Sequence, residues 1–336
     1  MDTVASDLKS ILGRLAVLLS DKGMIENCDK FHFSNDFIYV FNGQTFILAR
    51  FESGITGSVD GELFHKLIDK MGTSKISIEA TDTEVVVTKG RAVARFALDK
   101  ADECPIDLNI DTWKEAPENF VSGLMTASLT CGNDRTDFRT MVIHAFEGII
   151  ESSDSLRITQ FKLSSPMEDE LFIPSDIVKF LNRAKITRYS KSESWIYFEN
   201  QTGDIICHRI AVFGEKYPDL TALLEANSDG KKITFPERMY EAAETAGIFQ
   251  DDVKNDPDKR ITVVCKAKTM RISSKGSAGS YTVPLPVDFD DVIRFSIQPA
   301  FLLQAMEKGN DIFLNANCLK VVTSDYVYLT SLSSEE

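Results

Sequence analysis

Leu171-Phe-Ile-Pro-Ser-Asp-Ile-Val-Lys-Phe-Leu-Asn-Arg-Ala184 opens the stretch that decides the fold, and Gly214-Glu-Lys-Tyr-Pro-Asp219 closes it. Pro174 sits where the first turn of a helix tolerates proline, and Ile177, Phe180 and Leu181 fall on one helical face. Alternating strands are predicted over residues 194–199 and 204–212, separated by the turn sequence Asn200-Gln-Thr-Gly203. The unit reads as helix, strand, turn, strand and a tight Gly/Pro/Asp corner.

Working outward, the same unit recurs. Residues 3–19 predict a helix with Val4, Leu8, Ile11, Leu12, Leu15 and Leu19 on one stripe and Thr3 as its cap. Strands over 30–41 and 45–52 meet at Asn42-Gly43, a strong hairpin signal. A helix over 61–71, with Leu63, Leu67 and Ile68 inward, precedes strands over 75–80, 83–88 and 92–98. Residues 101–117 read as a linker. A weak helix over 120–129 and strands over 140–146, 148–152 and 156–163 lead into the opening stretch. After a second linker over 225–232 come a helix (236–246), an acidic loop (250–259), strands, a helix (299–308) and three closing strands. The shorter helices begin at Gly61, Pro174 and Pro299, a period of about 110–125 residues with negligible identity between copies. The fold class is therefore α+β: three tandem modules over 1–113, 114–228 and 229–336, each with two helices on one face of a sheet.

The chain of 336 residues is 43% hydrophobic and 26% charged, an ordinary globular composition with ample core. No apolar run reaches the length of a membrane span, and Met-Asp-Thr-Val lacks the order of a signal peptide, so a cytoplasmic protein is expected. Cys28, Cys104, Cys131, Cys207, Cys265 and Cys318 are scattered singly, which fits reduced thiols and argues against a structural zinc site. A net charge of −14 speaks against coating nucleic acid by bulk charge, but not against basic residues gathered on one surface.

Three motifs in this order resemble the bacterial-type DNA polymerase sliding clamp (beta clamp) family over essentially the full chain. Gly214-Glu-Lys-Tyr-Pro-Asp219 is similar to the family's Gly-x-Tyr/Phe-Pro-Asp corner, Ser153-Asp-Ser-Leu-Arg-Ile158 to its Thr-Asp-Gly-His-Arg-Leu, and Leu171-Phe-Ile-Pro174 to the opening of its middle domain's second helix. The resemblance implies three DNA-clamp domains assembling as a head-to-tail homodimeric ring. Duplex DNA would pass through the hole without sequence preference, and a DNA polymerase and a clamp-loader ATPase would be partners. No cofactor is implied.

Weak, exchangeable phosphate contacts would come from Lys and Arg on the inner helices. The candidates are Lys9, Arg14, Lys22, Lys66, Lys70, Arg135, Arg139, Lys179, Arg183, Lys185 and Arg188, with Arg238 and Lys308 in the third module. Lys179, Arg183 and Lys185 form the densest group; any single member could equally be an ordinary solvated helix residue. Carried over by motif, a partner-peptide pocket would use Val142, Ser155, Leu156, Arg157, Ile158, Leu329, Thr330 and Leu332. The family's Gly-His is here Ser155-Leu156, and its C-terminal Met-Pro-Met-Arg is Leu329-Thr-Ser-Leu332. Such departures fit an altered partner peptide, as in a phage replication system. Ring closure would set Phe96 and Leu98 against Ile248 and Phe249.

Two rival classes stay open on residues alone. One is an acidic DNA mimic that inhibits a DNA-binding enzyme, against which the 179–188 basic cluster weighs. The other is a metal-dependent nuclease built from scattered carboxylates. No catalytic constellation supports an enzyme: His32, His65, His144 and His208 fall in separate elements without metal-ligand spacing. Gly276-Ser-Ala-Gly279 lacks the lysine of a phosphate loop, and Asp251, Asp252, Asp256 and Asp258 lack the glycine of a calcium loop.

Overall fold

The structure, a computed structural model, describes residues 1–20, 26–100, 106, 110, 112–132, 137–210, 216–227, 229–250, 259–307, 309 and 311–333. Lys22, Cys104, Arg135, Gly214, Glu215, Asp251, Asp252, Asp256, Asp258 and Lys308 lie outside the described residues.

The helices are α1 (Ala5–Leu15), α2 (Gly61–Met71), α3 (Phe120–Ser128), α4 (Val178–Ala184), α5 (Leu220–Ala226), α6 (Met239–Ile248) and α7 (Pro299–Met306). Leaving α5 aside, one order of elements occurs three times: strand, helix, four strands, helix, three strands. Every pairing between these strands is antiparallel, so short turns suffice to connect neighbours.

By contacts, the chain divides into two compact units. Met1–Val121 with Asp176–Phe213 forms the first, and Ser122–Ser175 with Gly214–Glu336 the second. The eight-stranded sheet of the first unit runs in the order Thr56–Asp60, Lys30–Ser34, Phe37–Phe41, Thr45–Arg50, Ile205–Arg209, Trp195–Asn200, Ile186–Lys191, Lys114–Glu115. That of the second runs Leu171–Pro174, Val142–Phe146, Ile149–Ser153, Arg157–Lys162, Tyr326–Ser331, Cys318–Val322, Asp311–Leu314, Lys231–Thr234. In each sheet the fourth strand of one repeat pairs with the last strand of the following repeat: His208 lies opposite Thr45, and Ile158 opposite Leu329. Each unit also holds a four-stranded sheet. Among the described residues, one ends on Ala92–Ala97, a last strand with one edge free, and the other on Gly279–Pro286, a fourth strand with one edge free.

Local chemistry corrects several sequence expectations. Thr3 does not cap α1. It lies in a strand, Asp2–Val4, opposite Ile76, and the helix buries Ala5, Leu8, Leu12 and Leu15 at helical spacing. In α2 the Asp60 carboxylate accepts the Leu63 N–H at 2.8 Å, and the buried stripe is Gly61, Phe64, Ile68 and Met71. Leu63, expected inward, is 58% exposed because Phe64 takes the central core position against Phe31 and Phe33. Pro174 is not in a helical first turn either. It ends the strand Leu171–Pro174, opposite Val142, on a sheet edge where its missing N–H costs no ladder bond. The strand Lys114–Glu115 lies in the first stretch that reads as a linker, the strand Lys231–Thr234 begins within the second, and α5 runs into that second stretch from residues for which no element was expected.

Candidate functional site

The basic residues divide by what surrounds them. In α4, Val178 and Leu181 are buried, which turns Lys179, Asn182 and Arg183 outward, and Lys185 is exposed where it ends the helix in the left-handed conformation (φ 55°). Among the described residues none of Lys179, Arg183 and Lys185 has an acidic partner; Lys179 lies 5.0 Å from the centre of the Phe180 ring. Lys70 in the last turn of α2 is likewise exposed.

The other candidates are engaged. Lys9 lies 2.5 Å from Asp69 and, as donor and as charge, holds that carboxyl below the usual carboxylate range. Arg14 donates from Nη2 to Asp204 at 3.3 Å, with Nε 2.8 Å from the second carboxylate oxygen in a close ion pair. Asp204 is buried and also takes the Asn200 amide, so Arg14 ties α1 to the sheet. Lys66 pairs with Glu62 one turn away, Arg139 with Asp137 at 2.9 Å, Arg238 with Glu241 at 3.5 Å, and Arg188 with Glu199 while lying over Trp113. The helical spans of α3 and α7 hold no charged residue, and α6 holds only Glu241 and Glu244.

The carried-over pocket residues are partly brought together. Ile158 and Leu329 face each other across the sheet and join Leu220, Leu224 and Cys318 in one apolar cluster, with Tyr217 and Val327 against it. Leu156 stands at the hairpin beside it, 41% exposed, after Ser155 at φ +72°. Leu332 is half-buried and donates its N–H to Asn317 at 2.7 Å. Arg157 is not free to meet a ligand. Its Nε and Nη2 bond Asp154 at 2.9 and 2.7 Å, Nη1 bonds Gln304 at 2.8 Å, and the guanidinium lies 4.2 Å from the Phe301 ring centre. Val142 and Thr330 are fully buried, and Val142 lies two strands away from the Arg157–Lys162 strand.

Sequence reading missed α5, which supplies Leu220 and Leu224. The signal was present: Asp219 accepts the Ala222 N–H at 3.0 Å as an N-cap, followed by leucines at 220, 223 and 224.

Of the residues expected at ring closure, Phe96 packs edge-on against Phe64 at 5.2 Å, and Leu98 sits so close to Gly57 that a Cβ there would meet it at 2.5 Å. Phe249 stacks on Tyr281 at 5.8 Å, above the edge strand Gly279–Pro286, and Ile248 is 75% exposed. All four lie at or beside the two unpaired strand edges. Among the described residues no group of three His, Cys, Asp or Glu could hold a metal, and no helix is long and apolar enough to cross a membrane.

No family model matches this chain, and no curated protein matches it in sequence. Solved structures do. The chain is similar to a DNA polymerase III subunit beta from Pseudomonas aeruginosa at 10% identity, with a TM-score of 0.84 over 99% of both chains. This is the sliding-clamp fold. The DNA polymerase sliding clamp of Bacillus subtilis is similar at 17% identity and a TM-score of 0.82, covering 100% of this chain and 99% of that one. The Helicobacter pylori beta clamp, solved bound to a DNA ligase peptide, is similar at 12% identity and a TM-score of 0.81 over 100% of both chains. The expected α+β fold class thus stands, and nothing in these likenesses favours the DNA mimic.

Proposed function

We propose that this chain is a DNA sliding clamp, a non-catalytic processivity factor that closes as a head-to-tail homodimer around duplex DNA and tethers a DNA polymerase. Its three modules are 1–113, 114–228 and 229–336, it works in the cytoplasm, and a clamp-loader ATPase opens it. The observation that carries this reading is the pair of leftover strand edges. Twice within the chain a fourth strand pairs with a last strand, and among the described residues one of each kind keeps a free edge, Gly279–Pro286 and Ala92–Ala97. Joining them between two copies repeats the internal rule, and a heterologous contact used twice closes a ring.

Placing the internal register on these edges sets Ser280 opposite Arg95 and Thr282 opposite Val93. The backbone groups suit it. The Val287 N–H bonds Lys268 at 3.1 Å and the Leu98 N–H bonds Thr83 at 2.8 Å, so by alternation Ser280, Thr282, Val93 and Arg95 point theirs outward. Pro284 falls beyond the partner strand, which turns at Gly90, so its missing N–H interrupts nothing and blunts the remaining edge. Phe96 and Leu98 would then lie near Ile248 and Phe249 on the helix side.

Duplex contact is assigned to Lys70, Lys179, Arg183 and Lys185, and partner docking to the Leu156, Ile158, Leu220, Leu224 and Leu329 surface. Because Arg157 is satisfied within the chain, that surface reads apolar side chains rather than a partner carboxylate. This fits a clamp whose partner peptides have diverged with it, as in a phage replication system. Reversing Lys179, Arg183 and Lys185 to Glu should abolish salt-sensitive retention on circular DNA while the protein stays folded and dimeric by sedimentation. Unchanged retention would remove α4 from the DNA surface, and a monomer at micromolar concentration would remove the ring.

A further inference from the structure

One buried charge cluster has no part in the assignments above. His144, on the strand Val142–Phe146, lies between two carboxylates: Nδ1 is 2.9 Å from Glu151 Oε1, and Nε2 is 2.9 Å from Glu170 Oε1. An ionised carboxylate only accepts, so a carboxylate on each nitrogen is the geometry in which an imidazolium would donate from both. Its faces meet aromatic rings, Phe172 at 5.1 Å, Phe146 at 6.3 Å and Tyr217 at 4.6 Å, an arrangement that favours a cation. The Glu151 side chain is only 5% exposed, whereas that of Glu170 is 47% exposed. The row continues. The Gln160 amide donates to Glu151 at 3.1 Å and to the Thr221 hydroxyl at 2.9 Å, and Thr221 is in the first turn of α5.

We propose that Glu170, His144, Glu151, Gln160 and Thr221 form a charged latch that fixes the Tyr217 corner and α5 over the apolar cluster, with His144 and Glu151 as positioning residues for the docking surface. Two independent links run from the His144 ring to this segment: ring contact with Tyr217, and the hydrogen-bonded row ending on Thr221. Both reach the piece of chain that brings Leu220 and Leu224 to Ile158 and Leu329. Without the imidazolium, Glu151 would be a buried carboxylate left with one amide donor, and burying such a charge unpaired is costly. The cheapest relief is to let water in beneath α5, which shifts the two leucines. The Tyr217 hydroxyl, buried and without a hydrogen-bond partner, adds to the strain of this corner and makes it readier to move once released.

Only the consequence for docking rests on the proposed function. The latch itself is read on the free, full-length chain. Hydrogen exchange of the backbone amides of Leu220–Ala226 should speed up about tenfold or more in His144→Gln, which loses a charge-assisted bond, with no change in the strand Ile261–Lys266. The double variant His144→Gln/Glu151→Gln, which removes the stranded charge as well, should recover most of that protection. A purely steric role for the ring predicts no recovery, because both variants lose the same packing against Tyr217. Nitrogen NMR of the His144 ring at neutral pH should show both nitrogens protonated. Unchanged exchange in the single variant, equal exchange in single and double variants, or a neutral ring would each overturn the latch. A failed latch leaves retention on circular DNA untouched, and a failed clamp reading leaves the exchange results standing.

Discussion

The two joins between successive strand runs share one topology and differ in what covers them. At the first, where Thr45–Arg50 meets Ile205–Arg209, the cover is aromatic and comes from the chain itself. Phe46 stacks on Phe41 at 3.9 Å and meets Trp195 edge-on at 5.7 Å, and Ile106, Ile110 and Trp113 close over them. At the second, where Arg157–Lys162 meets Tyr326–Ser331, the cover is aliphatic and short, and Leu156 and Leu223 remain 41% and 48% exposed at its margin. A large self-supplied aromatic cluster leaves no room for a ligand. A thin aliphatic one with exposed leucines leaves apolar surface for a partner. The same joint is therefore a structural seam in one unit and a candidate docking surface in the other.

The largest effect should come from breaking the closed join. Phe46→Ala removes a fully buried ring and should cost about 3–5 kcal/mol in denaturant unfolding of the first unit. At the open join, Leu224→Ala should cost about 2 kcal/mol, the low end for a buried leucine, because α5 can settle into the space. Leu156→Asp should change stability by no more than about 0.5 kcal/mol, since the side chain is already exposed, yet abolish stimulation of the partner polymerase. The reverse pattern, stability lost at Leu156 and function lost at Phe46 in folded protein, would exchange the roles of the two joins.

Acid should distinguish them as well. His208 spans the first join, its Nδ1 2.8 Å from the Thr45 hydroxyl, and burial lowers its pKa from 6.5 against a smaller opposing effect of Asp176. The unfolded chain therefore takes up the proton more readily. The stability this neutral ring contributes is present above pH 6.5 and is lost as pH falls below it. Stability measured down from pH 6.5 should decline less steeply in His208→Gln than in the parent chain; an identical slope would remove His208 as the cause.

Much of the fold was legible because its signals are local. The leucines of α1, the Asn42-Gly43 hairpin and the threefold spacing of helices need only neighbouring residues. What stayed hidden depends on distant ones. Leu171-Phe-Ile-Pro174 is an apolar run too short for periodicity to separate strand from helix, and its pairing with Val142 decides the matter. Lys9, Arg14 and Arg188 looked like exposed cations because Asp69, Asp204 and Glu199 lie far from them in sequence. The Lys179, Arg183 and Lys185 group was legible because the helix alone turns it outward. In the candidate pocket, motif matching found Ile158 and Leu329 but included Val142, which the sheet order sets apart, and passed over α5, whose 7 residues are too few for a helical period to stand out.

The central claim is a ring closed around DNA through the edges Ala92–Ala97 and Gly279–Pro286. Val93→Cys/Thr282→Cys, oxidised in the presence of nicked circular DNA, seals both joints if the register is right. A covalent dimer should then stay on the circle in denaturing detergent and come off when the circle is cut. A dimer released from circular and linear DNA alike, or no crosslinked dimer at all, would contradict it.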